Sequence, residues 1–244
     1  MLDRNLIPII HKKRRLHYYG EKLHACNNAF DMIPLNPLQE EFVLLSNGKR
    51  TVSEIYLCIL EKYNIIDTDK NWELFSNLLA KLYDSKIIDF SNNIQEDRLF
   101  VSGEKGMLFP NWMLIEITSK CNFGCPHCYK EAGKNGKNLE FNLYTKIVEK
   151  MKTKTSNLVI TGGEPLLHPE IKEILLLAGK SYKTHLLTNG YLLQNIPIEI
   201  LYKLESIQIS LYGYDEDMCS AFTGMRNSFE KVCASIEYST PGLS

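Results

Sequence analysis

The stretch CNFGCPHCY, residues 121–129, places cysteines at positions 121, 125 and 128, a C-x3-C-x2-C spacing. A structural zinc site commonly has four ligands, often as two separated pairs, and a disulfide framework has an even number of cysteines in a secretory context. Thiolates also hold iron–sulfur clusters, and three of them on a four-iron cube leave one iron open. The spacing therefore favours an open iron–sulfur site, with a zinc or redox site, His127 serving as a fourth zinc ligand, as the alternative.

Strand-like and helix-like segments alternate around these cysteines. The predicted strands are WMLIEI (112–117), LVIT (158–161), THLLT (184–188) and SIQISLY (206–212). The predicted helices are NLYTKIVEKMK (142–152), PEIKEILLLAG (169–179), PIEILYKL (197–204) and SFEKVCASIEY (228–238). The strands are continuous apolar runs, which is typical of strands covered on both faces. Four successive β-α units predict an α/β fold with parallel strands and right-handed crossovers.

The unusual residues fall where the predicted strands end. The cysteines follow the first strand, GGEP (162–165) follows the second, TNG (188–190) follows the third, and SLYG (210–213) closes the fourth. Active sites in such folds gather at the carboxyl ends of the strands. The four signals together predict one site, although each alone is also compatible with an ordinary turn.

The cysteine stretch and TGGEP (161–165) together resemble the signature motifs of the radical SAM superfamily. The resemblance implies a 4Fe-4S cluster on Cys121, Cys125 and Cys128, whose open iron binds the amino and carboxylate groups of S-adenosylmethionine (SAM). An electron from the cluster then cleaves SAM to a 5′-deoxyadenosyl radical, so an electron donor such as flavodoxin or ferredoxin is implied. The family barrel has six β-α units and about four precede Ser244, so we expect a partial, C-terminally truncated barrel.

The resemblance also implies which residues bind the cofactor. The GGEP segment contacts the methionine amino group in the family; Gly162 and Gly163 permit close backbone approach, and Glu164 can accept hydrogen bonds from an ammonium. The family residue at the position of His127 lies near the adenine. Further expectations come from the later strand ends. There Ser210 is a candidate contact to the ribose or methionine carboxylate, and Asn189 a hydrogen-bonding residue within the site.

Residues 1–90 follow a different pattern, with short strands around turns, three amphipathic helices and a closing strand. Thr51 and Glu54 have capping-box spacing at the start of the second helix. This order predicts a winged-helix-like α+β domain. The mixed, turn-rich stretch 91–110 predicts a linker, and residues 111–244 form the partial barrel.

The first domain resembles, over about residues 16–90, the RiPP recognition element that binds the leader of a ribosomally made precursor peptide. The resemblance implies strand addition at AFDMIPL (29–35), beside the helix that begins near Trp72. A DNA-binding winged helix is the alternative. Against it, the helix that would have to contact DNA, WELFSNLLAKLY, is apolar, and its only basic residue is Lys81.

The bulk composition gives no case for nucleic acid or membrane partners. The 244 residues include 28 basic and 29 acidic side chains, and no apolar run reaches the ~18 residues of a membrane span. The N-terminus places its apolar residues before its charges, the wrong order for a signal peptide. We therefore expect a cytoplasmic protein whose cysteines are reduced.

Together the halves predict a radical SAM enzyme that modifies a peptide by forming a thioether, a carbon–carbon crosslink or a similar bond. One alternative is a leader-binding protein whose radical SAM half is degenerate and inactive. Another is a winged-helix regulator with an iron–sulfur sensor.

Overall fold

A computed structural model of the chain describes residues 3–27, 31–95 and 99–240. The chain divides into two compact units, with the boundary between Asn111 and Trp112. Among the described residues, no helix has the length and apolar character needed to cross a membrane.

The first unit contains two small sheets. Its strands are β1 (Ile7–Ile10), β2 (Arg15–Tyr19), β3 (Lys22–Cys26), β4 (Met32–Pro34), β5 (Ile88–Ser91) and β6 (Val101–Ser102). Strand β1 pairs antiparallel with β5. The second sheet has the order β4-β3-β2-β6, in which β6 alone runs parallel to its neighbour and β4 is an edge.

Three helices pack with these strands around one apolar core. They are α1 (Pro37–Leu45), α2 (Val52–Tyr63) and α3 (Asp69–Asp84). Each begins at a side-chain cap, and the box expected at Thr51 and Glu54 is formed, as is a second box between Asn36 and Gln39. Capping satisfies backbone N–H groups that the first turn of a helix leaves free. The apolar faces then bury residues such as Phe42 and Leu79.

Residues 99–111 belong to the first unit, which differs from the linker predicted over 91–110. Val101 pairs with Leu16 in the sheet, and the Gly20 N–H donates to the Met107 carbonyl at 2.9 Å. The buried imidazole of His17 bonds to Ser102 Oγ and to the Phe109 carbonyl, each at 2.9 Å. These partners are far apart in sequence, so the local composition of the stretch did not indicate the pairing.

The second unit is built on one parallel sheet. Its strands are β7 (Trp112–Glu116), β8 (Asn157–Thr161), β9 (Lys183–Thr188) and β10 (Ser206–Ile209), in the order β10-β9-β8-β7. Its helices are α4 (Phe141–Met151), α5 (Ile171–Ser181), α6 (Ile198–Leu201), α7 (Glu216–Thr223) and α8 (Ser228–Ser239). The α/β class predicted from the alternation is confirmed. Strand β10 ends three residues before the predicted strand, and the sequence pattern did not indicate α7.

Candidate functional site

A cleft lies at the carboxyl ends of the parallel strands. It is lined by all of the predicted site residues except Glu164, namely Cys121, Cys125, His127, Cys128, Gly162, Gly163, Asn189 and Ser210. The carboxyl ends of parallel strands meet at one edge of a sheet, which is why residues so distant in sequence converge. The prediction that the four strand-end signals form one site agrees with this geometry.

Backbone hydrogen bonds hold the cysteine loop at both ends. The Cys121 N–H donates to the Gly133 carbonyl at 3.1 Å, and the Cys128 N–H donates to the Cys125 carbonyl at 3.1 Å. Between them, the Gly124 N–H donates to the carbonyl of Thr223, the last residue of α7, at 2.7 Å. Helix α7 therefore supports the loop, although it lies much later in the sequence.

The three thiols are free and partly buried, and the surroundings of Cys121 and Cys125 oppose ionisation of these two. Burial raises the pKa of Cys121, with Glu164 and the other two thiols adding to the effect. Burial and Cys128 likewise raise the pKa of Cys125. Thiolates placed here therefore need a positive centre beside them. Within the described residues, no three His, Cys, Asp or Glu side chains converge on a single ion; a cluster does not require this, because each thiolate binds a different iron.

Gly162 and Gly163 bring the GGEP segment against the backbone that leads into the cysteine loop. A Cβ on Gly162 would lie 2.3 Å from the Thr118 carbonyl oxygen, and one on Gly163 would lie 2.4 Å from that of Lys120. The same contact is fixed by hydrogen bonds from the Gly163 N–H to Thr118 and from the Glu164 N–H to Lys120, at 2.8 and 2.7 Å. The sequence pattern predicted that these glycines let the backbone approach a ligand closely. In the structure, they let the GGEP backbone approach the backbone of Thr118 and Lys120 closely.

The Glu164 carboxylate is completely buried and does not line the cleft. It accepts hydrogen bonds from Thr188 Oγ1 and from the Asn189 N–H, both at 2.7 Å, and from the Leu166 N–H at 2.9 Å. Burial raises its pKa to about 7, against the lowering effect of these three bonds. Glu164 thus joins the end of β8 to the end of β9, in contrast to its expected contact with an ammonium in the cleft.

Three rings form an aromatic cluster at the cleft. His127 lies 4.6 Å from the ring of Phe222 and 5.2 Å from that of Tyr212, and Tyr212 stacks on Phe222 at 5.2 Å. Sequence reasoning identified His127 alone. Tyr212 lies in SLYG (210–213), so its position at a strand end could have indicated it as a site residue. Phe222 lies on α7, which the sequence pattern did not indicate.

Lys130 is a further cleft residue that sequence reasoning missed. Its ammonium pairs with Glu116 Oε1 at 2.7 Å and donates to the Gly162 carbonyl at 3.3 Å. The position directly after CNFGCPHCY was the available signal. The Gly162 carbonyl is therefore an acceptor that a cation in the cleft can reach.

A family model described as the radical SAM superfamily matches residues 115–240, more than half of the chain. The chain belongs to the radical SAM superfamily. Members bind a 4Fe-4S cluster and SAM, so these are the cofactors that membership assigns to the chain.

Curated relatives extend the similarity beyond the family model. The antilisterial bacteriocin subtilosin biosynthesis protein AlbA of Bacillus subtilis (strain 168) is 27% identical over 260 residues, covering 97% of this chain and 56% of AlbA. A GTP 3′,8-cyclase of Microcystis aeruginosa is 35% identical over 143 residues, covering 52% of this chain and 43% of the cyclase. The chain thus spans about half the length of the curated relatives it matches.

Among solved structures, SuiB of Streptococcus suis is similar over 95% of this chain and 53% of its own, with a TM-score of 0.56 and 21% identity. The structure of SuiB bound to its precursor peptide SuiA has a TM-score of 0.54 at 19% identity, covering 95% of this chain and 54% of SuiB. At these identities the likeness shows the fold.

Proposed function

We propose that this chain is the SAM-cleaving, leader-binding portion of an enzyme that modifies a ribosomally made precursor peptide. One observation carries the proposal: the thiols of Cys121, Cys125 and Cys128 line a single cleft with Gly162 and Gly163, at the carboxyl ends of parallel strands. The similarity to AlbA, a bacteriocin biosynthesis protein, and to SuiB, solved with a precursor peptide, supports a peptide substrate.

The three thiolates would hold the cluster, each on a different iron. When bound, the cluster and SAM supply a 5′-deoxyadenosyl radical that abstracts hydrogen from the substrate. The raised pKa values of Cys121 and Cys125 fit this role, since their ionisation depends on a cationic partner. The loop that presents them is fixed by Gly133 and Thr223, so the thiols are oriented before the cluster binds.

The remaining cleft residues would bind SAM. The Gly162 carbonyl already accepts a hydrogen bond from the Lys130 ammonium, and we assign the same carbonyl to the methionine ammonium. The cluster of His127, Tyr212 and Phe222 offers ring faces for the adenine. Ser210 and Asn189 add polar side chains to the same cleft, at the ends of β10 and β9.

The first unit would capture the leader of the precursor peptide at the β4 edge. Residues 29 and 30 of the predicted site 29–35 lie outside the described residues, and Met32–Pro34 form the edge strand. The Arg14 guanidinium bonds to Asp31 at 2.7 Å and to the carbonyls of Ser85 and Lys86, which brings the start of β4 close to the end of α3. Leader capture by the same chain would raise the effective concentration of the peptide to be modified.

Anaerobic reconstitution of the chain with iron and sulfide, followed by reduction in the presence of SAM, tests the proposal. We expect 5′-deoxyadenosine to form, and Cys125→Ala to abolish it. Cys58→Ala is the matched control, because Cys58 is an exposed thiol on α2. A chain that binds no cluster contradicts the proposal, and a cluster without product would show that this portion cannot cleave SAM alone.

A further inference from the structure

We propose that the side-chain amide of Asn189 sets the reduction potential of the cluster by donating a hydrogen bond to the sulfur of Cys121. This inference rests on the proposed role of Cys121 as a cluster ligand. It assigns Asn189 as a positioning residue that acts through a ligand, in addition to the contact with SAM suggested by its place in the cleft.

The geometry of the Asn189 amide is defined on both sides. Its Nδ2 lies 4.0 Å from Cys121 Sγ and donates to Asn122 Oδ1 at 2.9 Å. Its Oδ1 accepts a hydrogen bond from the Tyr191 N–H at 3.0 Å. Because only the oxygen of the amide can accept that bond, the nitrogen must face Asn122 and Cys121.

The backbone of Asn189 is fixed as firmly as its side chain. Its N–H donates to the buried Glu164 carboxylate at 2.7 Å, and Thr188 Oγ1 donates to the same carboxylate. The following Gly190 has φ +79, and a Cβ there would lie 2.7 Å from Ile209 Cγ2, so no other residue fits the turn easily. The segment TNG therefore holds Asn189 rigidly, and this residue is 8% exposed to solvent.

The sulfur of Cys121 also accepts a hydrogen bond from the backbone N–H of Phe123, at 3.4 Å. Reduction adds negative charge to a cluster and to the thiolates that hold it. Hydrogen bonds to those sulfurs stabilise the added charge and raise the reduction potential. Of these two donors, only the Asn189 amide belongs to a side chain, so its effect on the potential can be tested by substitution.

The test is a redox titration of the reconstituted cluster, monitored by EPR, without SAM. We expect Asn189→Leu and Asn189→Asp to retain iron and sulfide but to lower the equilibrium constant for reduction on the order of tenfold, the effect of one hydrogen bond to a charged group. That corresponds to a midpoint potential ~59 mV more negative for one electron. Ser210→Ala, another cleft substitution, should leave the potential unchanged.

An intact cluster with an unchanged potential in both Asn189 variants would overturn the inference. If SAM affinity alone changes, Asn189 contacts SAM and not the ligand sulfur. A wild-type chain without a cluster would instead overturn the proposed function. If neither variant holds a cluster, the test is pulsed EPR on wild-type protein labelled with ¹⁵N in the asparagine side chains. We expect coupling between ¹⁵N and the reduced cluster. The absence of this coupling would overturn the inference.

Discussion

The carboxyl group of Glu164 makes the stability of the second unit depend on pH. Burial raises its pKa from the ordinary 4.5 to about 7 in the folded protein. The folded state therefore binds a proton that the unfolded state releases between these values. Stability is greatest below pH 4.5 and falls as the pH rises through about 7, by at most roughly 3 kcal/mol for this group.

We expect Glu164→Gln to remove this part of the pH dependence. The variant is also less stable at low pH, since the Gln nitrogen accepts no hydrogen bond and the single amide oxygen cannot accept all three that the two carboxyl oxygens accept. Chemical denaturation from pH 4.5 to 7.5, with Trp112 fluorescence in a Trp72→Phe background, reports on the second unit. Glu173→Gln, an exposed acid on α5, is the control, and equal pH slopes in wild type and Glu164→Gln would contradict the expectation.

At the scale of single elements, the β4 edge determines how a peptide strand can be added. The Asn27 N–H donates to the Asp31 carbonyl, and the Leu35 N–H donates to the Leu23 carbonyl. Alternation along an antiparallel strand then turns the backbone groups of Met32 and Pro34 outward. Pro34 has no N–H, so the outward donor of Met32–Pro34 is the Met32 N–H.

Met32→Pro should therefore weaken leader binding roughly fivefold, the effect of one hydrogen bond of about 1 kcal/mol. Met32→Ala removes the side chain but keeps the N–H, so it separates the side-chain contribution from that of the backbone. The affinity of each variant for a fluorescently labelled leader peptide is measured by fluorescence anisotropy. Equal affinity of Met32→Pro and Met32→Ala would exclude pairing through this edge.

At the scale of the whole molecule, the parts that could be predicted are those with local causes. The four β-α alternations follow from apolar runs, and the cap at Thr51 follows from short-range spacing. The cleft residues were found because strand ends converge in any parallel sheet. By contrast, the inward turn of Glu164 and the contact of Phe222 with His127 depend on partners distant in sequence. No pattern within a short window contains that information.

Residues 99–111 also contact partners distant in sequence, and removing them tests how far the first unit extends. They supply β6 and both hydrogen-bond partners of the buried His17 imidazole. We expect residues 1–111 to unfold cooperatively on their own, and residues 1–95 to be less stable by roughly 2 kcal/mol or more, from two hydrogen bonds of about 1 kcal/mol each. Urea denaturation followed by Trp72 fluorescence measures both. Equal midpoints would mean that residues 99–111 act as the linker predicted from the sequence. A lower midpoint for residues 1–95 would mean that residues 99–111 are part of the first unit.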